Sequence, residues 1–145
     1  MTAIHSQLSA DCIALGRFSL CHLLLMNDSN YPWFILVPDR DDIREIYQLD
    51  AADREQLLDE SCQLSEFIMS AFEGDKLNVA ALGNQVPQLH LHHIVRYTTD
   101  PAWPTPVWGK FPALPYTDQA LSEIRLKFTG AGLDGYQAIV ESYLT

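Results

Sequence analysis

The sequence predicts an α+β domain: an antiparallel sheet of about five strands, one long helix packed on one face, and a helical tail at the C-terminal end. Three observations carry this. Short apolar runs bounded by turn residues fill Cys12–Met26, Trp33–Val37, Lys76–Leu82 and Gln88–Arg96. A single segment, between Asp50 and Gly74, keeps a helical apolar period over its whole length. No repeat, low-complexity tract or linker divides the 145 residues. They are read as one domain, with a core over about 12–97 and a loop and helices over 98–145.

Cys12–Phe18 and Leu20–Met26 read as successive strands, and Asn27-Asp28-Ser29-Asn30 as the turn after them. Trp33–Val37 is a third strand, closed by Pro38. The polar run Asp39–Asp42 opens a short helical turn through Tyr47. Asp50 is an N-cap candidate with Asp53 three residues on. Behind it Leu57, Ser61, Leu64, Ile68, Ala71 and Phe72 form one stripe, widened by Leu58 and Cys62, and Gly74 ends the helix. Lys76–Leu82 is the fourth strand, and Gly83–Pro87 turns the chain into the fifth. Asp100–Gly109 holds three prolines and two tryptophans and reads as an ordered loop. Leu121, Ile124 and Phe128 predict a helix stopped by Gly130. A weaker helical period runs from Tyr136 to Leu144.

Nine Lys and Arg stand against nineteen Asp and Glu, a net charge of −10. That balance opposes binding to a nucleic-acid polymer. A small phosphorylated ligand remains compatible, because a pocket can be locally positive within an acidic protein. Cys12, Cys21 and Cys62 form an odd set without CxxC spacing and are read as reduced core residues of a cytoplasmic protein. Neither an export segment nor a membrane span is expected: no basic stretch leads into an apolar run, and the apolar runs are short.

The informative stretch is Gln88-Leu89-His90-Leu91-His92-His93-Ile94-Val95-Arg96. Alternation along a strand puts Gln88, His90, His92, Ile94 and Arg96 on one face and Leu89, Leu91, His93 and Val95 on the other. Two imidazoles then stand roughly 7 Å apart on the first face. Core packing gives no reason for that arrangement, whereas chemistry on an anion does. Leu89, Leu91 and Val95 are expected against the long helix.

The run Gly83-Asn84-Gln85-Val86-Pro87 followed by Gln88 to Arg96 resembles the histidine-triad (HIT) family, whose motif is three His separated by single apolar residues. Asn78, the Trp33–Pro38 strand and the following Asp100-Pro101-Ala102-Trp103-Pro104 extend the likeness, the last toward a short bacterial subgroup. Here Gln88 stands at the first triad position and His93 in a normally apolar slot. The resemblance implies a HIT-like fold, a homodimer, and attack on the α-phosphate of a nucleoside phosphoanhydride or phosphoramidate by hydrolysis or transfer. His90 would be the nucleophile, through a nucleotidyl-histidine. A backbone carbonyl on its Nδ1–H would fix the tautomer. His92 would donate to a phosphoryl oxygen, and Gln88 would supply a hydrogen bond without a charge. Asn84 and Gln85 are candidates for the leaving group and phosphate, and Asn27 and Asp28 for the ribose. Asn78 is carried over from the family's preceding strand. No metal or other cofactor is required by this scheme.

Two rival readings stand beside it. In one, Gln88 marks a degenerate triad and the chain is a non-catalytic nucleotide binder. In the other, His90 and His92 hold a metal, although no third ligand has a convincing spacing. Arg96 either binds phosphate or ends the strand in a surface pair. His93 is read as a hydrogen-bonded core residue, and His5 and His22 as structural. Trp103 and Trp108 either pack in the core or an interface or stack on substrate, and their loop either covers the pocket or meets a partner chain. Gly130 to Gly135 matches G-x-G-x-x-G but follows a helix, so dinucleotide binding is rejected.

Overall fold

A computed structural model describes residues 1–139. The chain opens with a short helix, α1 (Ser6–Asp11), then three strands, β1 (Cys12–Arg17), β2 (Cys21–Met26) and β3 (Trp33–Pro38). A single 3-10 turn over Ile46–Gln48 precedes the long helix α2 (Ala51–Ala71), which leads to β4 (Lys76–Ala80) and β5 (Leu91–Arg96). Helix α3 (Asp118–Thr129) and the two-residue strand β6 (Gln137–Ala138) complete it. Among the described residues the sheet has six antiparallel strands in the order β4-β5-β3-β2-β1-β6.

Helix α2 starts where the sequence places it. The Asp50 side chain accepts the Asp53 N–H at 2.8 Å. Its buried face is Leu57, Glu60, Ser61, Leu64 and Ile68. Leu58 and Cys62 do not widen that face: both are exposed, a third of a turn round the helix from it. Glu60 goes inside instead. Its carboxylate accepts the N–H groups of Leu20 and Cys21 at 3.0 and 2.9 Å, which caps the β1–β2 turn.

Strand alternation splits the interior into two layers. Leu23, Leu25, Phe34, Leu36, Leu91 and Val95 pack under α2 and α3. Leu24, Trp33, Ile35, Val37 and Ile94 face the other way, beneath α1 and the loop carrying Ala102 and Val107. The second layer was not foreseen as helix-covered. A six-residue helix is too short to show a period in sequence, and Leu8, its single buried residue, is what docks it.

Two further expectations change. The tail begins as strand, not helix, at Gln137. Tyr136 packs its ring on Phe18 and Phe128 while β6 pairs with Gly16 and Arg17. Gly16 permits that approach, because a Cβ there would run into the Gln137 carbonyl. The rest of that expected helix, 140–144, lies outside the described residues. The fifth strand begins at Leu91, so Gln88, Leu89 and His90 are irregular chain feeding into it. None of the helices among the described residues is long and apolar enough to cross a membrane.

Candidate active site

Strand β5 sends adjacent histidines to opposite layers. His93 points at α2, where its Nδ1–H donates to the Leu91 carbonyl at 3.1 Å and its Nε2 accepts the Ser61 hydroxyl at 2.7 Å. Burial holds its pKa down to about 4, so it is a neutral core residue, as expected. His92 faces the layer under α1. Its Nδ1 accepts the Trp33 indole N–H at 2.9 Å. That bond assigns the remaining proton to Nε2. Burial, with His90 and His93 close by, pushes the His92 pKa to about 3, and the ring stays neutral.

His90 carries the opposite tautomer. Its Nδ1 lies 2.6 Å from the Gln88 carbonyl, an acceptor only, so Nδ1 holds the proton and Nε2 is bare. The sequence expectation of a carbonyl at this nitrogen is met by the chain's own residue 88. The two rings sit 4.8 Å apart, edge to face, closer than strand spacing alone gives, because His90 lies off the strand. One bare ring nitrogen therefore stands beside one ring N–H.

Both rings line a cavity of about 390 Å³, walled by Gln7, Leu8 and Asp11 of α1, the 82–86 turn, Met26 and Trp108. Asn84 and Gln85 are on that wall. A second cavity of about 370 Å³ adjoins it through Asp11, Met26, Trp108 and Gly109, and it reaches Asn27, Asp28 and Trp33. The Trp108 ring lies 5.2 Å from His92 and 5.7 Å from Trp33, so the proline-rich loop forms the roof. Trp103 does not take part. It stacks on Arg96 at 5.6 Å.

Other expected residues are placed elsewhere. Arg96 is neither a surface pair nor a cavity residue. It is 1% exposed, forked onto Asp100 at 2.8 and 3.0 Å, and bonded to the Asn78 side-chain oxygen at 2.9 Å. Asn78 is thereby a partner of Arg96 rather than part of the cavity wall. Burial pushes the Asp100 carboxyl up, but Arg96 and the Tyr97 and Trp103 N–H groups outweigh it and hold the pKa below the carboxylate range. Asn27 and Asp28 line the adjoining cavity, while their side-chain oxygens hold the Tyr116 and Leu114 N–H groups. The Gln88 amide turns away from the cavity and binds backbone at Ala3 and His5. The locally positive pocket is also not formed: among the described residues no Lys or Arg lines either cavity, and Asp11 lines both. No three His, Cys, Asp or Glu side chains among the described residues gather as a metal site.

Trp33 as the group that orients His92, and α1 as a wall, were not foreseen from the sequence. A tryptophan at a strand start carries no sign of its cross-strand partner.

Residues 7–99 match the HIT domain, a span that holds the histidine motif and every strand through β5. The chain belongs to the HIT family. Solved HIT structures agree. A histidine triad protein from Marinobacter aquaeolei VT8 is 55% identical with a TM-score of 0.87, covering 90% of this chain and 95% of its own. Histidine triad protein blr8122 from Bradyrhizobium japonicum is 41% identical with a TM-score of 0.87, over 88% and 96%. A third, from Sinorhizobium meliloti 1021, is 38% identical with a TM-score of 0.86, over 88% and 95%. None of the curated proteins matches the chain in sequence. HIT proteins are typically nucleotide hydrolases or transferases, and the α+β fold expected from the sequence is the HIT fold.

Proposed function

We propose that this HIT protein is a nucleotide hydrolase or nucleotidyltransferase acting at an α-phosphate through a nucleotidyl-histidine on His90. The observation that supports it is the pair of opposed tautomers, with a bare His90 Nε2 beside a His92 Nε2–H at the head of one cavity. In the first step the His90 Nε2 lone pair bonds to phosphorus. The P–O or P–N bond to the leaving group breaks, and the leaving group departs with that electron pair and takes its proton from water. His92 donates its Nε2–H to a non-bridging oxygen where charge builds. As His90 becomes cationic, the Gln88 carbonyl keeps its Nδ1–H in place. Water or another acceptor then bonds to phosphorus, loses its proton, and the N–P bond breaks to restore His90.

Asn84 and Gln85 meet the phosphate and leaving group, and the ribose lies against Asn27 and Asp28. With Asp11 on the wall and no Lys or Arg there among the described residues, a neutral or cationic leaving group is favoured over a polyanionic one. A nucleoside phosphoramidate is accordingly the better substrate than a dinucleoside polyphosphate. The working form in this reading is a cytoplasmic homodimer. The free cysteines suit a reducing compartment, and β4 leaves one edge of the sheet open for a partner strand.

The test is a rapid-quench single turnover with labelled nucleoside phosphoramidate. Label on His90, absent in His90→Ala and slower to form in His92→Ala, supports the proposal. Tight AMP binding with no adduct and no turnover of either substrate class overturns it in favour of a binder.

A further inference from the structure

The family motif has His where this chain has Gln88, and the Gln88 amide is engaged elsewhere. Its Nε2 donates to the Ala3 carbonyl at 2.9 Å, and its Oε1 accepts the His5 N–H at 2.8 Å. These two backbone groups flank Ile4. A primary amide presents a donor and an acceptor along one edge, so it can grip both. An imidazole has its two nitrogens on diverging sides of the ring and reaches only one. A carboxylate keeps the His5 bond but sets an oxygen against the Ala3 carbonyl.

What the amide grips leads directly to the cavity. His5 caps α1, with its Nδ1 accepting the Gln7 N–H at 3.1 Å. Gln7, Leu8 and Asp11 are the α1 wall. A helix of six residues does not hold itself in place. Its position depends on Leu8 in the core, on the Gln88 amide, on the Asp39 carboxylate that accepts the Thr2 N–H at 2.6 Å, and on the Asp11 carbonyl that accepts the Asn27 N–H at 3.0 Å. Residue 88 thus has two jobs. Its carbonyl holds the proton of His90, and its side chain holds the N-terminal segment.

We propose that Gln88 is a positioning residue that fastens the N-terminal segment as a wall of the nucleotide cavity and does not touch the reacting phosphate. The inference builds on the proposed nucleotide site, but its first readouts need no turnover. In Gln88→Glu, and in Gln88→Ala, hydrogen exchange in residues 2–11 should rise about tenfold, with β5 and α2 unchanged. AMP binding by calorimetry should weaken about fivefold to tenfold. Asp39→Ala loosens the segment from its other end without altering residue 88 and should weaken AMP binding in the same direction. KM should rise with kcat held within about twofold, because any residue at 88 keeps the carbonyl on His90 Nδ1. Unchanged exchange in residues 2–11 overturns the proposal. So does a fall in kcat at constant KM, which would place the amide on the transition state, or a uniform rise in exchange with AMP affinity intact, which would mean stability alone. A wild-type protein that forms no His90 adduct would sink the proposed reaction while leaving the exchange and AMP results to decide this one.

Discussion

Replacing Trp33 by Phe removes the single indole N–H that dictates which nitrogen of His92 carries the proton. In the native chain that N–H lies 2.9 Å from His92 Nδ1, with both residues buried. Without it, Nδ1 faces an apolar ring as an unpaired acceptor, at a cost of about 1–3 kcal/mol. With no donor facing Nδ1, the form protonated on Nδ1 is no longer disfavoured by a lost bond, and that form turns a bare nitrogen toward the cavity. If the lost bond is worth about 1 kcal/mol net, the competent tautomer falls roughly fivefold in population relative to the other. We expect kcat to fall about fivefold to tenfold with KM little changed. The indole also contacts Tyr31 and Trp108 at 6.5 and 5.7 Å, so stability should drop by a further increment of about 1–2 kcal/mol from lost packing. Nitrogen-15 shifts of the His92 ring report the tautomer, and steady-state kinetics on a nucleoside phosphoramidate report the rate. A wild-type His92 protonated on Nδ1, or a variant whose tautomer shifts while kcat stays constant, contradicts this role for Trp33.

Further outcomes follow from buried groups. Asp100→Asn leaves the Arg96 guanidinium buried with one neutral partner in place of a carboxylate fork, and should cost about 3 kcal/mol in urea denaturation; a loss below about 0.5 kcal/mol contradicts the pairing. Glu60→Ala strands the Leu20 and Cys21 N–H groups and should cost about 2–4 kcal/mol by the same assay, with Glu60→Gln milder. His93 titrates near 6.5 when unfolded and is held down to about 4 when folded, so the unfolded chain binds more protons between these values and stability falls as pH falls through that window. His93 alone should remove about 1.5 kcal/mol between pH 6.5 and 5, and His92 adds in the same direction; denaturation midpoints that stay flat over that range contradict it.

The parts of this protein written in local pattern were legible in its sequence. The period of Leu57, Ser61, Leu64 and Ile68 gave α2. Strand alternation separated His92 from His93 and put Leu91 and Val95 against the helix. The carbonyl on His90 Nδ1 also followed from the motif, although its source did not. What was hidden depends on partners far apart in the chain. Arg96 meets Asp100 only because the chain bends after β5, and Trp33 meets His92 across 59 positions. Glu60 hides in a polar stretch of α2 because two backbone N–H groups of a distant turn need an acceptor. Gln88 was misplaced for a related reason. Alternation was extended back to a residue that precedes the strand, while Ala3 and His5, which bind it, are more than 80 positions away.

The most direct measurement is the intact mass of the protein quenched during turnover of a nucleoside phosphoramidate. A nucleotidyl-histidine route gives a transient gain of one nucleoside monophosphoryl group, mapped by fragmentation to His90. Turnover at full rate by His90→Ala, or a gain mapped to any other side chain, contradicts it.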